Sequence, residues 1–294
     1  MVFKPTSVGI IGLGLIGGSI GLALKAKTQF SVYGFDLDPA VVKRALEIGA
    51  IDFYVQELED IGSQANLIFI AAPIAQTAQT IKNLLPFLSP GTIVTDVASV
   101  KSGIVNEVGK ELFGKNVTFI AGHPMAGKET QGVDSADSSL FEGRPWVLIR
   151  NDNISMTEYG ILENIIALIG AETILLDSET HDMAVASVSH LPLLVANTLL
   201  ETVAENPLWD ISSKLAAGGF RDTTRLASGN PQLHKDIVCV NREKILLALS
   251  ELEKKLRDIR ELVEARDEEN LVEFFEKNKN IRDQWYENNF LQTP

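Results

Sequence analysis

Three stretches of this chain set chemically useful residue types at informative spacings. Residues 9–24, GIIGLGLIGGSIGLAL, hold Gly12, Gly14 and Gly17 in a G-x-G-x-x-G run. Residues 121–129, AGHPMAGKE, set His123 among glycines and a proline behind an apolar run. Residues 218–227, GGFRDTTRLA, carry Arg225 just after a glycine pair. The first arrangement suits dinucleotide phosphates. Gly12 permits a tight turn, Gly14 lets the backbone approach a pyrophosphate, and Gly17 lets helix and strand pack closely. Leu15 and Ile16 lie between these glycines, where an opening helix offers unpaired N–H groups to an anion.

A bare glycine run also fits a turn that holds nothing, so its surroundings decide. Here it follows an apolar strand and opens an apolar helix. Asp36 stands about 20 residues further on, at the end of the next strand, where a carboxylate can accept from both ribose hydroxyls of NAD. Leu37 and Asp38 follow it, with no arginine for a 2′-phosphate. Lys43 and Arg44 on the next helix leave NADP open. Ala72 and Pro73, in AAPI, close the strand at 66–71, on the rim that touches a cofactor in such sheets.

His123 is placed to act as a base. An imidazole titrating near neutrality can take a proton from a hydroxyl while hydride leaves the same carbon. A lone histidine is more often structural, but this one sits at the rim of a nucleotide-binding sheet. Arg225 offers a planar guanidinium fork for carboxylate. The chain carries a formal charge of −13, so an anionic substrate needs such a local cation, expected to be buried. A surface ion pair, for instance with Asp222, is the competing reading. Arg221, Lys101 and Lys128 could add positive potential.

The elements that position these residues follow from hydrophobic patterning. Apolar runs at 7–11, 30–35, 66–71, 92–97 and 117–122 read as strands, alternating with helical stretches at 15–27, 39–48, 75–85 and 101–112. That pattern implies a parallel sheet covered on both faces. Two further strands, 145–150 and 172–177, are expected to extend it, with a helix near 156–169 between them. Beyond Asp177 no strand is expected. A long apolar helix interrupted only by Pro192 follows, then charged amphipathic helices from 241 to about 289. The division is therefore a parallel-sheet α/β domain over 1–177 and a helical domain over 178–294.

Composition excludes several classes. The negative charge disfavours nucleic acid and anionic membrane surfaces. One cysteine, Cys239, excludes an internal disulfide and a cysteine-based metal site, and fits a reducing cytoplasm. No signal peptide or uninterrupted apolar span of about 18 residues is expected.

The segments GLGLIGGS, TDVASVK, GHPMAG, SHLP and GGFRDTTRLA, in this order, resemble the prephenate/arogenate dehydrogenases of tyrosine biosynthesis across almost the whole chain. The resemblance implies a Rossmann-type domain and a helical domain that forms a homodimer. It also implies oxidative decarboxylation of a cyclohexadienol, with hydride passing from ring C4 to the nicotinamide and the carboxylate leaving as CO2. His123 matches the family histidine that takes the C4 hydroxyl proton, and Ser99 the serine that shares that contact. Arg225 matches the arginine that binds substrate carboxylate. His190 matches a position facing the cleft, although by itself it reads as a core residue. Glu129 matches an acidic position at the cleft entrance, able to gate it or tether the partner subunit. His181 reads as a helix start.

Members that prefer prephenate often carry a second histidine after SHLP. This chain has Leu193 there, which favours arogenate without settling the choice. No fused mutase or regulatory domain is expected, so feedback by tyrosine, where it occurs, is expected to act at the active site. A 3-hydroxyacid dehydrogenase is the nearest alternative, but its glycine-led K-x-x-N lysine is missing: in SSKLAAGG the lysine precedes the glycines. A non-enzymatic nucleotide sensor would leave GHPMAG and DVASVK without a purpose.

Overall fold

The computed structural model describes residues 6–112 and 115–291. The chain begins as alternating strands and helices: β1 (Ser7–Ile11), α1 (Leu15–Lys27), β2 (Ser31–Phe35), α2 (Pro39–Glu47), β3 (Phe53–Tyr54), α3 (Leu58–Gln64) and β4 (Leu67–Ile70). It continues with α4 (Ile74–Leu84), β5 (Ile93–Asp96), α5 (Ser102–Glu111) and β6 (Thr118–Ile120). These strands form one parallel sheet in the order β3-β2-β1-β4-β5-β6. Side chains alternate across it. Val8, Ile10 and Phe69 enter one core, and Ile11, Ile68 and Ile70 the other. That double burial is why the strands read as continuous apolar runs. The order reverses between β1 and β4, opening a crevice at their carboxyl ends.

The next strands are β7 (Gly122–Pro124), β8 (Pro145–Ile149) and β9 (Glu172–Leu176), with α6 (Met156–Leu168) between the last two. They do not extend the parallel sheet, as expected from sequence, but form a second, three-stranded sheet in the order β7-β8-β9. The expected strand 117–122 breaks at Ala121, and β7 turns away to pair antiparallel with β8, His123 opposite Val147. Gly122 makes the crossing possible. A Cβ there would lie 2.9 Å from both the Asp96 carbonyl oxygen and Trp146 Nε1.

Helices follow: α7 (Ser178–Val185), α8 (Leu191–Ala204), α9 (Trp209–Leu215), α10 (Gly218–Thr224), α11 (Pro231–Val240), α12 (Arg242–Ala265) and α13 (Glu268–Tyr286). Pro192 does not interrupt the long helix. A π turn over Ala186–His190 precedes it, and Leu191 N–H donates to the Ala186 carbonyl. The proline then falls in the first turn of α8, where a missing N–H costs little. By length and composition the run Ser178–Ala204 could cross a bilayer. It nevertheless carries His181, Asp182 and His190, all buried and hydrogen-bonded inside the protein.

The chain forms two compact units, one ending at Ile245 and the other beginning at Leu246. In the second unit Leu247, Val263, Val272, Phe275 and Ile281 are all more than half exposed.

Candidate active site

The glycine loop joins β1 to α1. Gly12 has φ of +88°, and a Cβ on it would lie 2.5 Å from the Ala71 carbonyl oxygen. A Cβ on Gly17 would overlap the carbonyl oxygen of Gly12. Both positions therefore exclude larger residues. Gly14 differs: a Cβ there would meet nothing within 4 Å. It is the N-cap of α1, no side chain caps that end, and no acidic residue stands in the first turn. The N–H groups around Leu15 and Ile16 are thus left for an outside acceptor. Asp36 is tied to the loop, Oδ2 accepting from Leu13 N at 2.8 Å and Oδ1 from Asp38 N at 3.0 Å. Each oxygen keeps a lone pair for a ribose hydroxyl. Ala72 and Pro73 follow β4 beside this loop, where Ala71 N donates to Ile11 O. These residues fit a dinucleotide. Arg44, about half exposed, pairs with Asp134 at 2.6 Å and Glu47 at 3.2 Å.

His123 lies on β7 in a network of buried polar side chains. Its Nδ1 is 2.9 Å from His181 Nε2, and His181 Nδ1 is 2.8 Å from Asp182 Oδ1. The Asp182 carboxylate also accepts from the backbone N–H groups of Lys101 and Ser102, each at 2.8 Å. Burial opposes its ionisation, but the hydrogen bonds from His181, Ser102 and Lys101 prevail and hold it below the usual carboxylate range. Lys101 is fully buried. Its ammonium donates to Asp96 Oδ2 and, at 2.7 Å, to the Gly122 carbonyl. Desolvation still lowers its pKa, despite the nearby carboxylate.

Burial, followed by His181, Lys101 and His190, pushes His123 well below the ordinary histidine range, with Asp182 opposing. The ring is therefore neutral at pH 7, and its Nε2 has no partner among the described residues. Burial likewise lowers His190 to about 4. Its Nδ1 is 3.2 Å from Asn241 Nδ2, which also donates to the Asp182 carbonyl at 2.8 Å.

Ser99 stands on the loop between β5 and α5, with its Oγ buried and unpartnered among the described residues. Arg225, just past α10, is not the buried guanidinium expected: it is 59% exposed and ion-paired with Glu129, itself 47% exposed. This arginine begins the single 3-10 turn Arg225–Ser228, where its side chain reaches Glu129 at the surface instead of packing into the core. Glu129 is thus Arg225's partner, while Asp222 pairs with Arg221. Lys101 adds little net positive potential, because Asp96 neutralises it. The glycines, Asp36, Ala72 and Pro73 gather at the carboxyl ends of β1, β2 and β4. His123, His190 and Lys101 share the buried network.

Sequence reasoning missed Asp96, Asp182 and Asn241 and gave His181 no role. Two signals were present: the adjacent His181–Asp182 pair, and aspartate five residues before lysine in DVASVK.

Residues 20–175 match the prephenate dehydrogenase nucleotide-binding domain, and residues 177–277 the prephenate dehydrogenase dimerization domain. A prephenate dehydrogenase of Lactococcus lactis subsp. cremoris is 38% identical over 280 residues, covering 93% of this chain and 75% of the relative. A structure of prephenate dehydrogenase from A. aeolicus with hydroxyphenyl propionate and NAD+ is 30% identical. It superposes with a TM-score of 0.88, covering 97% of this chain and 99% of that one. Synechocystis arogenate dehydrogenase is 31% identical with a TM-score of 0.83, covering 95% and 99% respectively. The chain belongs to the prephenate dehydrogenase family of oxidoreductases.

Proposed function

We propose that this protein oxidatively decarboxylates arogenate or prephenate to tyrosine or 4-hydroxyphenylpyruvate, with His123 as proton acceptor. The observation that carries the assignment is the neutral His123 ring, whose Nε2 has no partner among the described residues. Bound NAD supplies the hydride acceptor. The loop shaped by Gly12 and Gly17 would hold its pyrophosphate on the N–H groups around Gly14, Leu15 and Ile16, Asp36 would hold its ribose, and Ala72 and Pro73 would line the rim. Asp36, with a lone pair on each oxygen for the ribose hydroxyls and no arginine at the next two positions, supports NAD over NADP.

His123 takes the hydroxyl proton as hydride leaves C4, and the unpartnered Ser99 Oγ shares that hydroxyl. His190, neutral and held by Asn241, faces the ring. Arg225 receives substrate carboxylate in exchange for Glu129, which stands at the entrance. Leu193 at the position after SHLP favours arogenate without settling the choice between the two substrates. We place the sheet domain at 1–177 and the helical domain at 178–294, with a homodimer formed through the C-terminal helices, in the cytoplasm. The exposed apolar residues of α12 and α13 support that assembly.

The test is a four-way assay of prephenate and arogenate with NAD and NADP, on wild type and His123→Asn. The variant is expected to bind NAD normally and lose about 100-fold or more in turnover. Near-normal turnover by this variant would remove His123 from the proton step.

A further inference from the structure

The pair behind His123 has no part in the chemistry described so far. His181 and Asp182 are both buried and reach His123 in single file, behind the ring that meets the substrate. Resting on the reading of His123 as the base, we propose that His181 and Asp182 are positioning residues that fix its reactive tautomer and stabilise the charge it gains.

The hydrogen bonds dictate the proton placement. An ionised carboxylate can only accept, so Asp182 Oδ1 requires the proton of His181 on Nδ1. The neutral His181 then presents a lone pair at Nε2, and the 2.9 Å contact requires His123 to donate from Nδ1. His123 Nε2 is left with its lone pair. The opposite placement, a doubly protonated His181 donating to His123, would put the His123 proton on Nε2 and abolish its capacity as a base. Asp182 is itself held in place by the Lys101 and Ser102 N–H groups, so the chain of contacts has a fixed end.

When His123 Nε2 takes the substrate proton, the new positive charge lies two hydrogen bonds from Asp182. No second proton transfer is required: the hydroxyl O–H bond breaks, an N–H bond forms, and both intervening hydrogen bonds strengthen. The other charged group facing His123 is Lys101, which opposes protonation, while His181 and His190 oppose it only when they are themselves charged. Lys101 is largely offset by Asp96. Asp182 is the group that favours the charged ring.

Nitrogen-15 NMR of the histidine rings in the wild-type protein reads the tautomers directly. Both His123 and His181 are expected to carry their proton on Nδ1 at neutral pH. A proton on His123 Nε2 would overturn the proposal whatever any variant does.

Three variants then test function, with melting temperature as the check on folding. His181→Leu removes the acceptor and is expected to lower kcat by about 10–100-fold. His181→Gln, whose amide can accept at the same place, should recover part of that loss. Asp182→Asn should lower kcat and move the acid limb of kcat/KM to lower pH. A folded His181→Leu with wild-type kcat, or an Asp182→Asn limb that stays in place, would end the proposal. His123→Asn separates the two ideas. If it is inactive while the His181 and Asp182 variants are fully active, only the positioning role fails. If it remains active, the base assignment itself fails.

Discussion

Two ion pairs of this protein use the same chemistry in opposite settings. Lys101 and Asp96 have no solvent exposure, and Lys101 also donates to the Gly122 backbone. Arg225 and Glu129 are about half exposed and have no further ion-pair partners among the described residues. A buried pair is costly to assemble and more costly to break, because the survivor cannot be resolvated. An exposed pair is worth about 0–1 kcal/mol and exchanges readily with solvent or another ion. The first is therefore suited to hold a site in shape, and the second to be opened by an arriving anion.

The largest effect is expected from breaking the buried pair. Lys101→Met leaves Asp96 charged, although the Ala98 and Gly122 N–H groups still reach it. A loss of about 3–5 kcal/mol in unfolding free energy is expected, read by urea denaturation. Asp96→Asn combined with Lys101→Met should recover part of it, since no uncompensated charge remains. A single variant as stable as wild type would show that the pair is not what holds β5, α5 and β7 together.

The buried network also sets the response to acid. His190 has a folded-state value of about 4 against an ordinary 6.5, so the unfolded chain binds the extra proton throughout that window. Its contribution is complete above pH 6.5 and declines as pH falls toward 4, by about 3 kcal/mol in all. His123, also lowered, acts in the same direction. Stability measured from pH 7.5 to 4.5 should fall steadily, and His190→Gln should flatten the slope. A flat wild-type profile would mean that these rings are not buried neutral in solution.

Legibility divides along the same line. The glycine loop could be read from sequence because backbone geometry demands glycine at Gly12 and Gly17, whatever the distant contacts. The parallel sheet could be read because strands buried on both faces are apolar throughout. The second sheet could not: an apolar strand looks alike whichever sheet receives it, and the close approach that Gly122 permits between β7, Asp96 and Trp146 is a tertiary contact. The histidine relay joins residues 58 apart, and the pair Arg225–Glu129 residues 96 apart. Local spacing carries no information about such contacts. The substrate's charge argues for a buried Arg225, but burial also needs a packed element to cover the side chain, and sequence spacing does not show one.

The smallest effects should come from the exposed pair, and they separate its two possible roles. If an anionic substrate displaces Glu129 from Arg225, then Glu129 is a weak competitor for the guanidinium. Glu129→Gln should leave stability within about 1 kcal/mol and lower the substrate KM by at most about fivefold, the equivalent of that energy. Arg225→Gln should instead raise the substrate KM about tenfold or more, by removing a charge-assisted contact, and leave the cofactor KM unchanged. Added salt should shrink the Glu129→Gln effect, because ions screen an exposed pair. A rise in substrate KM on Glu129→Gln would reverse the reading: Glu129 would then be holding Arg225 in its working position, and the exposed pair would be a positioning device like the buried one.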